Sequence, residues 1–136
     1  MENKALTQIT IDNELGAFWT SIDTTNEENV KKLYSIMVGA EKRLGDYINS
    51  TIKVKDIYTE VVECKNEQTG EREKQPRIVV IDVNGETYGC VSRGIFSAIR
   101  KLVGLLGCPP WNDGVALKIK QVSTKNGRKM LTFEMV

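Results

Sequence analysis

Two Asn-Gly pairs, at 84–85 and 126–127, constrain this chain more than any other feature. Both residue types tolerate the positive φ of a type I′ turn, and each pair lies between strand-like runs, so each predicts a β-hairpin. The first hairpin joins Arg77–Val83 to Glu86–Val91, and the second joins Val115–Val122 to Lys129–Met135. Upstream, from Thr51, the period is again two: Ile52, Val54, Ile57, Thr59 and Val61 predict a strand of about a dozen residues, rich in β-branched side chains. Lys65 to Gln75 offers nothing apolar to bury and is expected to be a solvated loop.

Helical spacing occurs twice. Val30, Leu33, Tyr34, Met37 and Val38 follow a Thr25–Glu28 capping box, with Gly39 and Gly45 as alternative ends. Ser92 precedes a second helix with Ile95, Ala98, Ile99, Leu102, Val103 and Leu106 on one face, stopped by Gly107, Pro109 and Pro110. Before both, the alternation of Leu6, Ile9 and Ile11 and the patch Phe18–Trp19 read as an N-terminal arm or edge strand. Three strands, a helix and two further strands is the order of an OB-fold, a partly open five-stranded Greek-key barrel. The expectation is therefore one mainly β domain over residues 1–136, with residues 1–50 forming a helical extension and residues 51–136 the barrel. An immunoglobulin-like sandwich needs about seven strands, against five or six found here.

Composition narrows the chemistry. The 136 residues contain no histidine, which removes the commonest general base and the commonest transition-metal ligand. Cys64, Cys90 and Cys108 are widely spaced, odd in number and without a Cys-x-x-Cys pair, so they read as buried thiols rather than a disulfide or zinc framework. With no Gly-rich phosphate loop either, the chain is expected not to be an enzyme and to need no metal or cofactor. No segment has the length of apolar sequence needed to span a membrane, and no signal-peptide pattern opens the chain, so the expected location is the cytosol.

The net charge is only +1, but residues 115–136 hold five basic side chains and one acidic, a local balance of +4. A single-stranded nucleic acid is held by a cationic groove and by rings on which bases stack. If Ile57, Thr59 and Val61 face the core, Tyr58 points the other way, and Tyr88 has Gly89 beside it to admit a base; both are candidate stacking residues. Lys53 with Lys55, Lys118 with Lys120, and the cluster Lys125, Arg128 and Lys129, together with Arg77 and Arg93, are candidate groove residues. A solvated face explains any one of these pairs equally well. Trp111 is either a third stacking ring or a plug closing the barrel beneath the helix.

The segments NSTIKVKDIY (49–58), ETYGCVSRGIFSAIRKL (86–102) and VALKIKQVSTKNGRKMLTFEMV (115–136) resemble the single-stranded DNA-binding proteins of tailed bacteriophages and of mobile elements of Gram-positive hosts. The similarity covers roughly the last two thirds of the chain, and its most specific part runs from a tyrosine-bearing strand through Val-Ser into a helix. It implies an OB-fold that binds single strands without sequence preference, protects them and melts hairpins during phage-type replication in the host cytosol, with phage replication proteins as further partners. It also implies stacking by Tyr58 and Tyr88. The first 45 residues depart from the shortest relatives, and the acidic C-terminal tail of cellular bacterial relatives is not matched. A protein-interaction module, working through the acidic N-terminal helix or the Lys65–Gln75 segment, is the alternative.

Overall fold

The computed structural model describes residues 15–39 and 41–136; Leu6, Ile9 and Ile11 lie outside them. Within that range the protein is mainly β, a curled sheet of seven strands with two helices. The strands are β1 (Phe18–Thr20), β2 (Lys42–Arg43), β3 (Thr51–Lys65), β4 (Arg72–Asp82), β5 (Thr87–Val91), β6 (Val115–Ser123) and β7 (Lys129–Met135). The helices are α1 (Glu27–Met37) and α2 (Arg93–Leu106). Five of these strands occupy the predicted segments; β1 lies at the Phe18–Trp19 patch, and the short β2 has no counterpart in the sequence reading.

The sheet order is β2-β5-β4-β3-β6-β7, with β1 beside β3. β3 organises it, because its 15 residues are long enough to serve three neighbours. One edge pairs with β4 from Val54↔Asp82 to Lys65↔Arg72; the other pairs with β6 near Thr51 and with β1 near Thr59. A bulge at Lys55 shifts the register, so that Val54 and Ile57, three apart, both enter the inner core. The same bulge ends the expectation that Lys53 and Lys55 share a face: Lys53 is exposed and Lys55 half-buried.

The charged segment 65–75 is part ladder and part turn, with Lys65 in β3 and 72–75 in β4. Cys64↔Glu73 and Glu63↔Lys74 extend the β3–β4 ribbon beyond the core, and the Arg72 guanidinium binds Glu63 across it. Backbone pairing with cross-strand charge pairing stabilises a ribbon that buries nothing apolar, leaving only residues 66–71 as the turn.

Two apolar clusters lie on opposite faces of the sheet. The inner one gathers Ile57, Val61, Ile78 and Val80 with Ile95, Ile99 and Leu102 of α2. Ser92 caps α2 by accepting from the Ile95 amide at 3.1 Å, and Gly107 at φ +86° ends it. The outer cluster joins Tyr58, Val79 and Ile81 to Ile22, Leu33 and Ile36 beneath α1. The cap of α1 is Asn26, whose side chain accepts from the Glu28 and Asn29 amides, while Thr25 instead donates to Asp23. Gly39 at φ +95° follows the C-cap, so the shorter helix forms and Lys42 and Arg43 enter β2.

Among the described residues no ladder joins β5 to β7. The first turn of α2 fills that interval: Gly94 lies against β7 so closely that a Cβ would collide with the Leu131 carbonyl and the Met130 side chain.

Candidate nucleic-acid interface

The β3–β4 turn and the β6–β7 turn project on the same side of α2's N-terminus. Between them runs a cleft of about 850 Å³, lined by Lys65, Arg93, Arg128 and Lys129 among others. Its cations come from three separate places in the chain. Arg128 follows the Asn126-Gly127 turn, Gly127 having φ +74°, and its guanidinium reaches across to the Gln68 side chain. Arg93 opens α2, where it donates to Gln75 Oε1 at 3.0 Å and to the Lys74 carbonyl at 3.2 Å. The helix start adds partial positive charge from its free amides. Glu67 and Glu73 oppose these four cations, and the Glu73 carboxylate accepts from Asn66 Nδ2 at 2.7 Å and Gln75 Nε2 at 3.0 Å. The balance favours an anion.

Of the residues singled out in the sequence, the fold brings Arg93, Arg128 and Lys129 together here. Lys125 sits exposed at the adjoining tip. Lys118 and Lys120 are half-exposed on β6, between the inward Leu117 and Ile119, and Lys53 lies beside Ala116 on the neighbouring strand, diagonal to Lys118. They form an outer basic stripe, separate from the cleft. Lys55 falls elsewhere, in a smaller cavity shared with Ser21, Asp56 and Lys32.

The aromatic expectations are corrected. Tyr58 does leave the inner core, as alternation predicts, but α1 and β1 cover that face and its exposure is 0%. Phe18 stacks on its ring at 5.9 Å, and burial together with the Glu60 carboxylate pushes its phenol well above the usual range. Tyr88 points inward, where Tyr47 meets it edge-on at 5.0 Å and its hydroxyl donates to Asp82 Oδ2 at 3.3 Å. The space beside Gly89 is taken by the Glu41 side chain. Neither ring offers a free face. Trp111 is half-buried against the core, its indole N–H bound to the Gly107 carbonyl at 3.1 Å.

Arg77 is no groove wall either. Its side chain is 12% exposed and bridges Glu41 at 2.7 Å, Glu60 at 2.8 Å and the Ile36 carbonyl at 2.7 Å. Burial works against its charge, yet the two carboxylates outweigh burial and hold its pKa above the ordinary value. The thiols also differ from expectation: Cys108 is exposed and Cys64 half-buried, while burial pushes the Cys90 thiol up to about 12. Lys65 and Gln68 were missed, because their segment reads as a plain charged loop until the ribbon places them opposite the second hairpin.

Fold and cleft together define a mainly β protein with an anion-attracting cleft across two hairpin tips. The family follows from comparison with known proteins. A family model described as phage single-stranded DNA-binding protein matches residues 12–136, and the chain belongs to that family. Comparison with curated proteins and with solved structures gives no match. Among the described residues no helix is long and apolar enough to cross a membrane.

Proposed function

We propose that this protein binds single-stranded DNA without sequence preference, passing the strand through the cleft between the two hairpin tips. The observation that carries the reading is the family match over residues 12–136. The cleft supports the path: Lys65, Arg93, Arg128 and Lys129 face an extended anion there, and Lys125, Lys118, Lys120 and Lys53 continue the positive surface outside it. With Tyr58 and Tyr88 buried, phosphate contacts rather than stacking supply most of the affinity, which makes binding steeply salt-dependent.

The order β5-β4-β3-β6-β7, with α2 between the third and fourth of these strands along the chain, supports an OB-like barrel. In this reading β1, α1 and β2 are an N-terminal extension of one domain. The role is passive protection and melting of single strands during phage replication in the host cytosol, beside other replication proteins. No catalysis is involved.

Anisotropy of labelled oligo-dT, titrated at two salt concentrations with a duplex of equal length as competitor, tests this. Single-strand binding that the duplex does not displace is expected. The double variant Arg128→Ala/Lys129→Ala should weaken it and flatten the log–log salt slope by about 0.7 per cation removed. Equal binding to duplex, or none, overturns the reading and favours a protein partner.

A further inference from the structure

Helix α1 carries an apolar stripe that the other described residues leave uncovered. Val30, Tyr34, Met37 and Val38 recur at i, i+4, i+7 and i+8, one side of a helix, and all four are exposed, Tyr34 to 67%. The two residues that hold the helix down, Leu33 and Ile36, project from another side. Glu27 lies three residues before Val30 and seven before Tyr34, so it heads the same stripe; its side chain is almost wholly in solvent, at 4.0 Å from Lys31 of the same helix, a partner it can exchange. Such a row on an otherwise charged helix marks an interaction face.

A matching surface lies elsewhere on the molecule. Between α2 and β7 runs an apolar groove of about 470 Å³ whose walls include Leu102, Leu105, Met130, Phe133 and Met135. Leu105 is 78% and Met135 52% exposed. Lys101 and Arg93 stand on the same wall, and Lys101 has no ion pair among the described residues. From Arg93 to Leu105 α2 spans about 18 Å, enough for a stripe of about 12 Å from Val30 to Val38. The stripe cannot fill its own groove, since α1 packs on the outer face of the sheet and α2 on the inner.

We propose that the α1 stripe of one copy seats in the α2–β7 groove of a second copy, with Glu27 meeting Lys101. This is helix-in-groove recognition between two different surfaces, so every added copy presents a fresh stripe and a fresh groove and the copies assemble head to tail. The contact needs no nucleic acid, and it stands or falls apart from the DNA-binding reading.

Sedimentation velocity of the full chain without DNA, over a range of concentrations, is the test. Wild type is expected to grow in mass with concentration through a series of oligomers. Tyr34→Glu and Leu105→Glu, both at exposed positions, should each weaken self-association about tenfold or more. The decisive sample is their equimolar mixture: one variant keeps an intact groove and the other an intact stripe, so the mixture should form dimers and stop there. Exchanging charges checks the pairing, because Lys101→Glu should weaken assembly and Glu27→Lys combined with it should restore it. A wild type that stays monomeric, a Leu105→Glu variant that assembles like wild type through paired α1 stripes, or a mixture that stays monomeric overturns the proposal.

Discussion

The two faces of the β3–β4 sheet are covered by helices held in very different ways. On the inner face α2 buries six residues, from Gly94 to Val103, and its hold is apolar area. On the outer face α1 buries only Leu33 and Ile36, and the rest of its hold is polar: Arg77 donates to the Ile36 carbonyl, and Lys32 donates to the Gly85 carbonyl. Arg77 is itself fixed by Glu41 and Glu60. One sheet can therefore carry a cover held by apolar area and another held by two apolar side chains and a few polar contacts, the Arg77 network chief among them.

The largest expected effect tests that network. Arg77→Met leaves two carboxylates facing each other in a nearly buried site and should cost about 3–5 kcal/mol in urea unfolding. A loss below about 1 kcal/mol would break the contrast between the faces, because it would show that α1 does not depend on the ionic network.

Ile99→Ala, fully buried under the inner face, should cost about 2–5 kcal/mol and lower the denaturation midpoint of the whole molecule. Native-state hydrogen exchange sharpens the comparison: α2 amides should exchange only through global unfolding, whereas α1 amides should open locally at much lower free energy. Equal protection of both helices would remove the distinction.

Capping gives a smaller version of the same test. Ser92→Ala should reduce global stability by about 1 kcal/mol, and Asn26→Ala should reduce exchange protection in α1 by a similar amount while leaving the global midpoint in place. The smallest change expected is Tyr58→Phe. Among the described residues the buried Tyr58 hydroxyl has no partner within hydrogen-bond geometry, so its removal should alter stability by less than about 1 kcal/mol and leave oligo-dT binding unchanged. A large loss of binding in that variant would mean that the outer face opens to DNA.

The sequence made the hairpins legible because turn chemistry is local: Asn84-Gly85 and Asn126-Gly127 need no distant partner to specify a reversal. The caps of both helices were visible within one residue for the same reason. What helix α1 covers was not visible. Its apolar residues occupy more than half its circumference, so spacing alone cannot choose between the side bearing Leu33 and Ile36 and the side bearing Tyr34. Tyr58 shows the same limit, since alternation gave its direction but not the helix that lies over it. Arg77 reads as a surface cation on a strand, and partners distant in sequence, Ile36 and Glu41 as well as Glu60, make it internal. In the cleft, Arg93, Arg128 and Lys129 were recognisable as basic, whereas Lys65 needed the full length of the ribbon to be placed beside them.

Gly94 sets how closely the start of α2 approaches β7. Because the interval between β5 and β7 is filled by the end of a helix and not by a ladder, no hydrogen-bond register fixes the distance across it. A ladder can change only in whole steps, strand by strand, while a helix seated on a carbonyl can be moved by the volume of one side chain. The approach of α2 to β7 is thus limited at this point by the volume of one side chain, and glycine allows the closest contact.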